Sequence, residues 1–252
     1  MIKKAYVLII SIILSTPGLA QNNRHNTYEN IGWYNYFGTF NINNTFALHS
    51  EYQFRRANYI TNWQQSLLRI GLNYTPVIGV QIRMGYAWVE TFNYGDIPLN
   101  SMGKEYTEHR IFQMLQLSNK INRIELSHRF MLEQRWVGRY SNASLSKEDE
   151  FPFLNRMRYM FRIQTALKGR EIIDKTPYIA IYDEIFMGFG KNVNLNVFDQ
   201  NRIGILMGYR YNKNLRIEAG YLNQTIQFGR LVNSQNIFQY NNGIILNNYI
   251  NF

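Results

Sequence analysis

The sequence predicts an all-β chain: a transmembrane antiparallel β-barrel of about ten to twelve strands, twelve preferred, after a cleaved signal peptide. Three observations predict it. Apolar and polar residues alternate through segment after segment, tight turns alternate with long polar loops between them, and the first twenty residues read as an export signal. Side chains of a strand point to opposite faces with period two. Residues 124–136, IELSHRFMLEQRW, therefore set Ile124, Leu126, His128, Phe130, Leu132, Gln134 and Trp136 on one face. Glu125, Ser127, Arg129, Met131, Glu133 and Arg135 fall on the other.

At the start of the chain, Lys3 and Lys4 precede an apolar run over residues 5–14 that only Ser11 interrupts. Pro17 ends it, and Gly18, Leu19 and Ala20 supply small residues for a signal peptidase. The run is shorter than the roughly twenty apolar residues of a spanning helix. Residues 1–20 are expected to be a signal peptide and residues 21–252 one barrel domain, since no Pro-, Gly- or Ser-rich linker divides them. With no cysteine, neither a lipoprotein anchor nor disulfide staples are expected.

Charged residues make up 17% of the chain, low for a globular protein, while aromatics reach 15%. The mean hydropathy of −0.33 suits a barrel, whose polar lumen-facing half masks the apolar half in any average. A net charge of +10 would ordinarily raise nucleic acid as a partner. Here the arginines are spread one or two per strand, and an exported chain meets no cytoplasmic nucleic acid. The expected partners are outer-membrane lipid, lipopolysaccharide and the barrel assembly machinery.

Residues 33–42 are aromatic and ambiguous in phase. Then Phe46, Leu48, Tyr52 and Phe54 alternate with His49, Glu51, Gln53 and Arg55. Leu68, Ile70, Leu72 and Tyr74 oppose Arg69 and Asn73. Ile82, Met84, Tyr86 and Trp88 oppose Gln81 and Arg83. Ile111, Leu115 and Leu117 oppose Glu108, Arg110 and Gln116. After residues 124–136, Met157, Tyr159, Phe161 and Ile163 oppose Arg156, Arg158, Arg162 and Gln164. Residues 178–189 carry Asp183 and Glu184 side by side, so one carboxylate must face outward or sit at a rim. Ile203, Ile205, Met207 and Tyr209 oppose Arg202 and Arg210, and Leu215, Ile217, Ala219 and Tyr221 oppose Arg216 and Glu218. The chain closes with Ile244, Leu246, Ile250 and Phe252 at alternate positions, a strand resembling the signal read by the barrel assembly machinery. The segments number eleven. Bacterial barrels are normally even, so a twelfth strand is expected near residues 28–40 or around Asp183.

Tight turns are expected at Asn43-Asn44, Thr75-Pro76, residues 119–122 and residues 212–214. Residues 56–62, 92–106, 137–152 and 228–239 read as longer polar loops. Short turns at one end and long loops at the other is the layout of an outer-membrane barrel, and aromatics at the ends of the apolar faces suit interfacial girdles. A soluble sandwich would bury the apolar faces instead; export, loop asymmetry, strand length and Phe252 together favour the barrel.

The segments FALHSEYQFR (46–55), QSLLRIGLNY (65–74), VQIRMGYAW (80–88), LSHRFMLEQRW (126–136), NRMRYMFR (155–162), YDEIF (182–186) and DQNRIGILMGYRYNKNLRIEAGYLN (199–223) follow one another in an order that resembles an uncharacterised outer-membrane family, domain of unknown function 2490. The resemblance covers nearly the whole chain after residue 20. It implies an outer-membrane barrel of Gram-negative bacteria and no established activity.

Barrel enzymes that cleave lipid carry nucleophile and base within hydrogen-bond reach, as His-x-Ser on one strand face. None of His25, His49, His109 and His128 has serine two residues on, and in His49-Ser50 and Ser127-His128 adjacency sends the two side chains to opposite faces. His25 reads as part of an N-terminal tail. Asp96, Glu148, Asp149 and Glu150 lie in long loops without a neighbouring histidine, and only His49-x-Glu51 approaches metal-ligand spacing. No catalytic residue, metal or cofactor is expected; the alternative is an enzyme acting on envelope lipid or lipopolysaccharide. The inward charges, Arg55, Arg69, Arg83, Arg110, Arg129, Arg135, Arg156, Arg158, Arg162, Arg202 and Arg216 with Glu51, Glu108, Glu125, Glu133 and Glu218, are expected to fill the lumen as a bracing network. The competing reading of the same residues is a narrow anion-biased pore.

Overall fold

The computed structural model describes residues 23–252; the expected signal peptide lies outside them. Period-two alternation becomes eleven strands: β1 (Arg24–Asn41), β2 (Phe46–Ala57), β3 (Asn62–Val77), β4 (Val80–Thr91), β5 (Tyr106–Ile121), β6 (Ile124–Val137), β7 (Phe153–Ala166), β8 (Thr176–Phe189), β9 (Phe198–Arg210), β10 (Leu215–Val232) and β11 (Gln235–Asn251). They form one closed barrel in which sequential strands pair antiparallel and β1 meets β11.

The preference for twelve strands is corrected to eleven. An odd count leaves the first and last strands running the same way, and β1 pairs with β11 in parallel from Arg24↔Asn236 to Thr39↔Asn251. Parallel ladders are slightly weaker per residue; length compensates, since these strands run 18 and 17 residues. Residues 28–40 hold one strand, and so does the segment around Asp183, which faces out while Glu184 is buried.

The odd count also puts the start of β1 and the end of β11 at opposite barrel ends. At the end reached by β11, the connections are residues 42–45, 78–79, 122–123, 167–175 and 211–214. At the other they are residues 58–61, 92–105, 138–152, 190–197 and 233–234. The asymmetry is softer than expected. Residues 228–239 are not a long loop: β10 and β11 continue to Asn233 and Ser234, whose φ values of 50° and 61° make a tight primed hairpin turn. Thr75 and Pro76 lie inside β3; the turn falls at Ile78 and Gly79, where Gly79 has φ 84°. His25 belongs to β1, not to a tail.

Strand tilt is visible in the register. Tyr36 opposes Tyr52, then Leu68, Trp88, His109, Trp136 and Phe153 in turn, so a line that begins near the turn end of β1 reaches the first residue of β7 at the loop end. Closure requires such a tilt.

The burial pattern is inverted relative to a globular protein. Glu133 and Glu218 have no exposure, whereas Ile70 is 55% and Met207 67% exposed. Every β2 residue from Ala47 to Ala57 at alternate positions is buried, and these include His49, Glu51, Gln53 and Arg55. Inside, apolar side chains gather in a cluster around Ile31, Trp33, Tyr178, Leu206 and Leu222, and in another of Phe112, Met114 and Met131. Two glycines of β9 make room for tyrosines of β8. Tyr178 opposes Gly208 and Tyr182 opposes Gly204; a Cβ on either glycine would lie 2.2 Å from the opposing ring.

Candidate functional site: the lumen charge network and its cavity

The network centres on Glu133. Its register partner Arg156 on β7 donates from Nε at 2.7 Å and lies 2.6 Å away through Nη2. Arg158 donates to the other carboxylate oxygen at 2.9 Å, and Arg69 from β3 and Arg110 from β5 stand 3.9 Å away. Four guanidiniums from three strands thus converge on one carboxylate of β6.

Each of those arginines is shared with a further carboxylate. Arg69 donates to both oxygens of Glu51 at 2.8 Å, and Arg110 donates to Glu108 at 2.6 and 2.8 Å, where Arg135 joins it at 3.1 Å. Arg156 reaches Asp199 at 2.6 Å; Arg158 reaches Glu184 at 2.7 Å, and Arg129 meets the same Glu184 oxygen at 2.9 Å. Arg162 pairs with Glu218, which also accepts hydroxyl bonds from Tyr178 at 2.7 Å and Tyr249 at 3.2 Å. Alternating sign round the lumen lets each buried ion offset the desolvation of its neighbours.

Five residues expected in the network, Arg216 with its guanidinium 4.0 Å over the Tyr249 ring among them, have no carboxylate or guanidinium at hydrogen-bond distance among the described residues. Arg55 is held by Gln53 and Gln65 and stacks 3.8 Å over Trp33. Arg83 donates to Asn73 and Gln81. Arg202 donates to Gln200 at 3.0 Å, stacks 4.4 Å over Phe186 and stays 3.9 Å from Glu184. Glu125 accepts only from Gln164, at 2.7 Å.

Sequence reasoning missed Glu184 and Asp199. The phase of Tyr178, Ala180 and Tyr182 could have assigned Glu184 to the lumen. Asp199 is turned inward where the β8–β9 register slips between Phe186 and Met187, which alternation does not signal. It also missed an amide layer towards the loop end. Trp33 donates to Gln64 at 2.7 Å, Gln239 donates to Asn241, and Asn241 donates to Gln224 and to Tyr94, both at 3.1 Å. Tyr94 comes from the loop after β4 and caps this layer; burial pushes its phenol up.

On the turn side of the Glu133 layer the lumen widens into a cavity of about 810 Å³. It runs inward from Ile78, Gly79, Asn212 and Lys213 at the turns to Trp33, Arg69 and Arg158 beneath Glu133.

The histidines stand apart from one another. His49 faces inward, 3.1 Å from Glu51; His109 and His128 lie on the outward face, 2.6 Å from the Tyr86 hydroxyl and 2.9 Å from that of Tyr159. Among the described residues no three His, Asp or Glu side chains are gathered as metal ligands would be.

A family model described as "Protein of unknown function (DUF2490)" matches residues 30–234, and the chain belongs to that family. No curated protein and no solved structure matches it.

Proposed function

We propose that this barrel resides in the outer membrane of a Gram-negative bacterium as a non-enzymatic barrel braced shut by its arginine–carboxylate network. The inverted burial carries the reading. A belt of exposed Ile, Leu, Met and aromatic side chains encircles a polar interior, which suits hydrocarbon outside and would be costly in water. Aromatic pairs mark both ends of the belt: Phe40 stacks on Phe252 and Phe46 on Tyr74 at the turn end, and Trp136 packs on Phe153 and Tyr28 on Tyr240 at the loop end. Such girdles suit the two interfaces of a bilayer.

The closed state is supported by two layers across the lumen, Glu133 with its arginines and the amide layer of Gln239 and Asn241, the latter 1% and 0% exposed. The cationic cavity on the turn side favours a second reading, the narrow anion-biased pore, in which these layers would part. The enzyme alternative has less support: the histidines are spread over both faces, and Ser50 and Ser127 face away from His49 and His128.

Fractionation tests the location. The mature chain, beginning at Gln21, is expected in outer membranes and to migrate faster unheated than heated on detergent gels. Recovery from the soluble periplasm without heat-modifiable migration would overturn the reading.

A further inference from the structure

We propose that the cavity on the turn side of the Glu133 layer is a binding site for a small polyanion bearing phosphate or carboxylate groups, which enters from the turn end. The proposal goes beyond the closed membrane barrel. It needs the fold alone, and not the location.

Charge is the first argument. Ten lysine and arginine side chains line the cavity against three glutamates. Those glutamates are already engaged: Glu51 by Arg69, Glu184 by Arg129 and Arg158, and Glu125 by Gln164. Low-dielectric walls closed at one end concentrate the remaining positive field in the hollow.

Unfilled donors are the second. Arg202 is only 8% exposed, lines the cavity, and its Nε has no acceptor. Arg83 and Arg216 also line it, and among the described residues neither forms an ion pair; Arg216 lies 4.0 Å over the Tyr249 ring. A buried cation short of acceptors is costly. An oxyanion offers what these guanidiniums lack, since the planar fork of arginine matches phosphate and carboxylate oxygens two at a time.

Size and shape are the third. A volume of about 810 Å³ falls in the range of small-molecule sites. Phe37 and Tyr249, stacked at 4.8 Å, add a flat apolar wall beside the cations. A ligand with an anionic head and a flat or aliphatic body would fill both parts.

The test is calorimetric titration of the folded mature chain in detergent, at constant ionic strength. Tripolyphosphate and citrate are the probes, and spermine is the opposite-charge control. Saturable binding of at least one anion is expected, with none of spermine. Arg202→Gln with Arg216→Gln should weaken it at least tenfold, and Lys191→Gln, at the loop end and outside the cavity, should leave it unchanged. Arg216→Gln alone, which removes no ion pair, guards against misfolding of the double variant and should still weaken binding severalfold. Stronger binding of tripolyphosphate than citrate would assign a phosphoryl ligand, and the reverse order a carboxylate. No saturable binding of either anion at millimolar concentration, or equal affinity in the wild type and Arg216→Gln, would overturn the site. Recovery of the folded chain from the soluble periplasm would count against the membrane reading and leave this one standing.

Discussion

Glu133 on β6 and Arg156 on β7 stand side by side in register on adjacent strands and both point into the lumen, with Arg156 Nη2 2.6 Å from Glu133 Oε2 and neither side chain more than 4% exposed. This pair ties the central layer together, because the same carboxylate holds Arg158 while the same guanidinium holds Asp199.

Glu133→Gln removes the one charge on which four arginines converge. Losing one partner of a buried pair costs about 3–5 kcal/mol, because the remaining ions stay buried without it. The variant is expected to unfold at markedly lower temperature, followed on gels by loss of the fast-migrating form. Glu125→Gln, whose carboxylate meets only an amide, should shift stability by about 1 kcal/mol or less. Equal stability of the two variants would show that the Glu133 layer carries no special weight.

Period two made the faces legible wherever a strand has a dry side and a charged side, as in β2, β6 and β7, and so located most of the charged lumen. Parity was not legible. It is decided by hydrogen bonds between the chain's first and last strands, and alternation within a strand says nothing about whether that ladder runs parallel. Residues 228–239 were misread for a different reason: a lumen-facing strand rich in Gln and Asn has the composition of a loop, and only the barrel interior shows Gln239 to be buried. The cavity was hidden too, since it depends on which arginines find carboxylates across strands distant in sequence.

Gly208→Val places a branched side chain where the Tyr178 ring lies, 2.2 Å from any Cβ at that position. The ring must leave the β9 wall, and its hydroxyl loses Glu218. Overpacking of this kind typically costs about 1–3 kcal/mol. Thermal melts should show a clear loss, partly relieved by Tyr178→Ala in the same chain. An unchanged melting temperature in the single variant would mean that the β8–β9 wall yields freely.

Phe252 closes the parallel seam between β1 and β11. Its N–H donates to Thr39 at 2.8 Å, its carbonyl accepts from Asn41, and its ring stacks on Phe40 at 4.3 Å. Deleting Phe252 or making Phe252→Lys should lower the amount of assembled barrel in cells. Refolding into detergent separates the causes. A variant that refolds normally in vitro yet accumulates poorly in cells has lost a recognition signal, whereas one that fails in both has lost the seam. Normal abundance in cells would remove both roles.

Arg129→Ala with Arg158→Ala tests whether the lumen is braced shut. Both arginines meet on one oxygen of Glu184, and Glu133 keeps Arg156. The double variant therefore leaves Glu184 buried with only Arg202 near it, at 3.9 Å. It also deletes two side chains that line the floor of the cavity just below the Glu133 layer. Water should follow the unpaired carboxylate into the space they vacate. In planar bilayers the wild type is expected to show little steady conductance. The double variant should conduct and also melt at a lower temperature. A wild type that already conducts, favours anions and loses that preference in the double variant would replace the braced barrel with the pore.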